Sequence, residues 1–250
     1  MCSEPHHRPP PAPRTGRLAD SERRTVTASD GVEVAARLAT TTEEDAPAVV
    51  VLPDFRGLHP YYEALAEELA GAGAHALAVD HYSRTAGTGW RDADFDPMPH
   101  RREAVDATAA SDVDGALSVL DGLAPSRRYV LGFCFGGRRA LLQGGRAQLD
   151  GVVAFYARVG LEGDGGSPVG LAREGRLSAP VLGIFGGADP HIPVEEVHGF
   201  RDACAAAGVP CEIEVYDGAP HSFFDHDWSA HAAASDDAWH RVLRFLGLVP

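Results

Sequence analysis

Short apolar runs alternate with amphipathic stretches along most of the chain. Ala48–Leu52 reads AVVVL, and Ala74–Val79, Tyr129–Phe133, Val152–Tyr156 and Val181–Phe185 are nearly as apolar at every position. A run of five or six residues with no polar face predicts a strand covered on both sides. Glu212–Tyr216 reads as one more strand. Between these runs, Tyr61–Ala72, Ala104–Leu123, the stretch after Gly137, Val194–Ala207 and Ala230–Leu246 carry a helical period. Two of them stop at Gly73 and Gly208, the residue type that ends helices most readily. Near the start, Thr25–Ala28 and Val32–Ala39 flank Ser-Asp-Gly and predict a β-hairpin. Residues 83–100 and 160–177 show no period and read as loops. Strands alternating with helices predict an α/β fold, a mostly parallel sheet with helices on both faces. Residues 23–250 form one such domain, and residues 1–22, rich in Pro, Arg and His, read as a disordered tail.

In sheets of this kind reactive groups gather beyond the carboxyl ends of the strands. The polar residues at those ends are Asp54, Asp80, His81, Cys134, Asp189 and His221. Cys134 stands out because it lies in Gly132-x-Cys134-x-Gly136, between a strand and a helix. That spacing holds a nucleophile on a sharp, exposed turn, and nucleophile, acid and histidine in this chain order are the α/β-hydrolase arrangement. Cys134 would attack a carbonyl, His221 would carry the proton, and Asp189 would orient His221. The N–H of Phe135, opening the helix, and that of Phe55, after Ala48–Leu52, would face the developing oxyanion. Each residue has a plainer reading: a small cysteine in a tight corner, an aspartate starting a turn, a surface histidine. Their joint placement, each after its own strand, favours the chemical one. His191 and Asp217 are rivals for base and acid, without the same positional advantage.

Composition removes several alternatives. All 22 basic residues are arginine, so chemistry that needs a lysine Schiff base or a phosphate-loop lysine is excluded. No G-x-G-x-x-G follows the first strand, which speaks against a dinucleotide-dependent reductase, and no cofactor is expected. The formal charge of −14 disfavours nucleic acid and anionic membranes as partners. Cys2, Cys134, Cys204 and Cys211 show no paired or metal-binding spacing, so no metal is expected. His6 and His7 read as solvated. Reduced cysteines, no signal-like start and no membrane-length apolar run lead to the expectation of a cytoplasmic monomer or small homo-oligomer.

The segments GFCFGG around Cys134, GGADPHIP around Asp189 and GAPHSFF around His221, with VDHYSRTAG at 79–87 and FYARVGLE at 155–162, resemble the dienelactone hydrolase family, the carboxymethylenebutenolidases. The resemblance runs from about Val26 to the C-terminus. It implies an α/β-hydrolase that opens a small lactone or ester through a Cys134 acyl-enzyme. It also implies that Arg84 binds a substrate carboxylate, that Tyr156 and Phe223 line the substrate site, and that Asp54 stands where the family has a thiol-activating glutamate. Asp225 replaces an arginine found in the chlorocatechol-pathway enzymes, and beside His221 it would oppose a substrate carboxylate. A ligand-binding protein of the same fold without turnover is the competing reading, and a thiol-reactive ester or lactone probe separates the two.

Overall fold

The apolar runs assemble into a single eight-stranded sheet. A computed structural model of the chain describes residues 8–13, 15–92, 94–226 and 228–250. The strands are β1 (Leu18–Thr27), β2 (Glu33–Thr41), β3 (Ala48–Leu52), β4 (His75–Val79), β5 (Arg128–Phe133), β6 (Gly151–Phe155), β7 (Val181–Gly186) and β8 (Cys211–Tyr216). Their order is β1-β2-β4-β3-β5-β6-β7-β8; β2 is antiparallel to β1 and β4, and the remaining pairs are parallel. Every residue of β3, β4, β6 and β7 is buried. Successive side chains point to opposite faces, so burial at every position means that both faces of the sheet are covered.

The helices are α1 (Pro60–Gly71), α2 (Ser83–Ala86), α3 (Met98–Glu103), α4 (Asp106–Asp121), α5 (Phe135–Leu142), α6 (Pro168–Arg173), α7 (Val194–Ala206) and α8 (Ala232–Phe245), of which all but α3 bury residues. The last of these is the most clearly amphipathic and buries Ala238, Trp239, Val242 and Leu243. Near the carboxyl edge, Phe133 stacks on Phe155 and Phe155 packs on Phe224, both at 4.7 Å between ring centroids. This aromatic layer forms the floor beneath the site described below.

Three expectations need correction. Within the expected tail, residues 8–13 and 15–22 are described, and they pack against the domain. The Ala12 N–H donates to Glu68 Oε2 at 3.0 Å, and Thr15 Oγ1 and the Gly16 N–H donate to the carbonyls of Ala72 and Gly71 at 2.7 and 3.1 Å. The last carbonyls of α1 lack intrahelical partners, and this segment satisfies two of them. Leu18–Glu22 extends β1 well before Thr25; as a mostly exposed edge strand it carries no apolar alternation to reveal it. The loops at 83–100 and 160–177 contain α2, the start of α3, and α6, each too short to show a period. Residues 1–7, with Cys2, His6 and His7, lie outside the described residues.

Candidate active site

The turn from β5 to α5 depends on two close backbone approaches. A Cβ on Gly132 would stand 2.2 Å from the Gly136 carbonyl oxygen, and one on Gly136 would stand 2.2 and 2.3 Å from the carbonyl oxygens of Pro53 and Leu52. Only glycine fits at either place. Between them Cys134 is held at φ 50° and ψ −107°, a conformation that costs an L-residue energy and persists only where its surroundings enforce it. The Cys134 N–H donates to Phe155 O at 3.0 Å, and the Cys134 carbonyl accepts from Arg138 N–H at 3.1 Å. The half-buried thiol is thereby presented at the N-terminus of α5.

His221 follows β8 and meets that thiol. Its Nδ1 lies 2.6 Å from Asp189 Oδ2, and the ring shares a hydrogen bond with Cys134. With Nδ1 engaged by Asp189, Nε2 is the nitrogen left for sulfur. The second Asp189 oxygen accepts the His191 N–H at 2.8 Å, so the carboxylate is fixed from both sides. Burial opposes charge on the His221 ring, but the hydrogen bonds to Asp189 and Cys134 outweigh it and raise its pKa to about 10. The structure therefore brings together Cys134, His221 and Asp189. His191, a rival base in sequence, only packs its ring edge-on against His221 at 5.8 Å.

The two N–H groups expected to face an oxyanion belong to Phe135 and Phe55. That of Phe135 is the first of α5 and so has no intrahelical acceptor. Phe55 lies in the loop between β3 and α1, where Tyr82 Oη donates to its carbonyl at 2.5 Å. The same loop is anchored by buried Asp80, which accepts the Leu58 N–H at 3.1 Å and pairs with Arg91 Nη2 at 2.7 Å. His81 donates from Nε2 to the Pro53 carbonyl at 2.6 Å. Burial and the nearby Arg139 lower its pKa to about 4 and keep it neutral. Asp80 and His81 thus shape the loop.

Several expected site residues have other employment. Asp54 is engaged by Arg56, whose Nε and backbone N–H donate to it at 2.8 Å each. Burial alone would raise the Asp54 pKa; Arg56 and His59 bring it below the usual carboxylate value. The partner the structure gives Asp54 is thus the guanidinium two residues along the same loop. Arg84 pairs with Asp30 at 2.6 Å and with Asp112 at 2.7 Å, so its charge is already met by two carboxylates. Tyr156 and Phe223 are buried and present no surface to a ligand. Asp225 is buried too; it accepts from Tyr156 Oη at 2.5 Å and Tyr62 Oη at 2.9 Å, and pairs with Arg56 Nη2 at 3.2 Å. Burial and the neighbouring Asp54 push its pKa up to about 6. It faces this cluster and does not line the site.

One residue escaped the sequence reading. The Arg101 guanidinium stands 5.7 Å from the ring centres of both Phe55 and Phe135, and no carboxylate partner for it occurs among the described residues. It lies on the short, exposed α3, within MPHRRE, where nothing in the local pattern distinguishes it from its neighbour Arg102. Among the described residues no group of three or more His, Cys, Asp or Glu side chains is arranged to hold a metal ion.

A mostly parallel sheet in this strand order, with a strained strand-to-helix turn at its carboxyl edge, defines an α/β-hydrolase. Within that class the chain belongs to the dienelactone hydrolase family, whose model matches residues 34–249. A "Putative carboxymethylenebutenolidase" of Methylorubrum extorquens is 32% identical over 231 residues, covering 85% of this chain and 76% of that one. A protein of the same name in Escherichia coli O157:H7 is 34% identical over 213 residues, covering 80% and 76%. The crystal structure of a "Putative Dienelactone Hydrolase" from Klebsiella pneumoniae superposes with a TM-score of 0.79 at 29% identity, covering 92% of this chain and 99% of that one.

Proposed function

We propose that the protein hydrolyses a small lactone or carboxylic ester through an acyl-enzyme on Cys134. The observation that carries this reading is the continuous contact from Asp189 through His221 to a thiol on a strained turn. The names of its relatives support the lactone or ester as substrate class. The thiolate attacks the carbonyl carbon, and the negative oxygen is received by the N–H groups of Phe135 and Phe55. The carbon–oxygen bond then breaks, and His221 Nε2–H protonates the leaving alkoxide, which in a lactone stays tethered to the acyl group. Water, losing a proton to His221, attacks the thioester and releases the acid and the free Cys134. Asp189 keeps Nδ1 protonated and Nε2 aimed at sulfur throughout.

The test is intact-protein mass measured during turnover of an aryl ester and a small lactone. Wild type is expected to gain the mass of one acyl group. Cys134→Ala is expected to keep its circular-dichroism melt and lose both the adduct and turnover by many orders of magnitude. Near-normal turnover by this variant would remove Cys134 from the mechanism.

A further inference from the structure

Beneath His221 lies a buried polar cluster that neither packing nor the proposed chemistry requires. The Tyr156 ring contacts the His221 ring at 5.0 Å between centroids, tilted by 57°. Its hydroxyl donates to Asp225 Oδ1 at 2.5 Å, and the other Asp225 oxygen is held by Tyr62 Oη and Arg56 Nη2. Asp225 lies on the same turn as His221, four residues on, and the His226 N–H closes that turn onto Ser222 O at 2.9 Å. Tyr156 therefore joins the two ends of one turn, with its ring under the histidine and its hydroxyl on the carboxylate.

Two features argue that this arrangement is held for a purpose. Tyr156 has φ 37°, and strain at a bulky residue persists only where surrounding contacts enforce it. Burying a carboxylate also costs free energy that a phenylalanine at position 156 and an apolar residue at 225 would avoid. The adjacent core does use phenylalanines, at Phe133, Phe155 and Phe224. His221 gains a second restraint from the Tyr156 ring. The hydrogen bond from Nδ1 to Asp189 restrains the imidazole torsion, which is broad for histidine, at one edge of the ring, and a side chain packed on the ring face narrows it further.

We infer that Tyr156 and Asp225 are a positioning pair: Asp225 clamps the Tyr156 hydroxyl, and the clamped ring holds the His221 imidazole in line with Cys134. The inference rests on the reading of His221 as proton carrier. Its test is Tyr156→Phe, which removes one oxygen and keeps the ring. The variant is expected to lower kcat for an aryl ester about tenfold with KM nearly unchanged, because a misaligned proton carrier affects the chemical step more than binding. In an NMR titration of the His221 ring protons, its pKa is expected to fall from that measured for the wild type toward the ordinary imidazole value, as the Asp189 and Cys134 contacts that raise it loosen. Asp225→Asn is expected to shift both readouts in the same direction. Tyr216→Phe, which removes a hydroxyl bonded to Asp237 outside this cluster, is expected to shift neither. A folded Tyr156→Phe with wild-type kcat, KM and His221 titration would overturn the pair, even if Asp225→Asn did not fold. If the wild type cleaved no ester or lactone, the hydrolase reading would fall, while the His221 titration would still decide the pair.

Discussion

Gly136 shows how a single residue decides whether the site can form. Its missing side chain lets α5 start against the end of β3, with backbone oxygens of Leu52 and Pro53 where a Cβ would be. Gly136→Ala cannot be relieved by a rotamer change, because both obstacles are main chain. The expected cost is about 1–3 kcal/mol in chemical denaturation, as for overpacked cores. Activity should fall with it, since the displaced segment leads directly to Phe55. An alanine variant with unchanged stability and turnover would show that the turn is more pliant than its geometry implies. Of the five non-glycine residues with positive φ among the described residues, Cys134, Tyr156 and Ser222, at 50°, 37° and 59°, belong to the carboxyl edge of the sheet, while Asp45 and Ala124 lie in loops that lead into β3 and β5. Three strained residues close to one another at the candidate site fit the tendency of backbone strain to gather at functional sites.

Elements position these residues by holding one another's loops. The segment after β4 supports the segment after β3: Asp80 accepts the N–H groups of Leu58 and Tyr82 and the Ser83 hydroxyl while pairing with Arg91. Both charged side chains are almost fully buried, so neutralising one leaves the other uncompensated. Asp80→Asn is therefore expected to cost about 3–5 kcal/mol, the range for breaking a buried pair from one side. Thermal melts check the stability. Esterase assays on the folded fraction should show lower kcat, because the Phe55 carbonyl is tied to Tyr82 beside Asp80. An unchanged melting temperature would mean that solvent or another cation replaces the lost charge.

At the scale of the whole molecule, a formal charge of −14 repels anions, so an acidic substrate needs a local cation. Arg84 is committed to Asp30 and Asp112, whereas Arg101 lies beside Phe55 and Phe135. For an ester carrying a free carboxylate, Arg101→Gln is expected to lower kcat/KM about tenfold, the size of one charge-assisted hydrogen bond. The methyl ester of the same acid should be unaffected. Arg84→Gln should leave the acid-to-ester ratio as it is. A ratio that responds to Arg84 and not to Arg101 would reverse this assignment.

The fold class was legible in the sequence because its causes are local. A strand buried on both faces has to be apolar along its length, as AVVVL is, and a packed helix has to repeat its apolar face. The Cys134, Asp189 and His221 positions were legible for the same reason: each directly follows a recognisable strand, and parallel strands bring their carboxyl ends to one edge. The edge strand β1 and the short helices α2, α3 and α6 left no such imprint, being exposed or too brief. The partners of the charged and aromatic residues belong to the tertiary structure alone. Arg84 looked available until Asp30 and Asp112 were brought beside it from 54 positions before and 28 after. That Asp54 is met by Arg56, folded back onto it, and that Arg56 reaches Asp225 across 169 positions, no local pattern announces. Tyr156 and Phe223 looked like substrate contacts and lie in the core. Burial patterns are written along the chain in runs and periods, but the partner a buried charge or hydroxyl finds depends on which loops the closed sheet sets side by side, and that is settled only by packing in three dimensions.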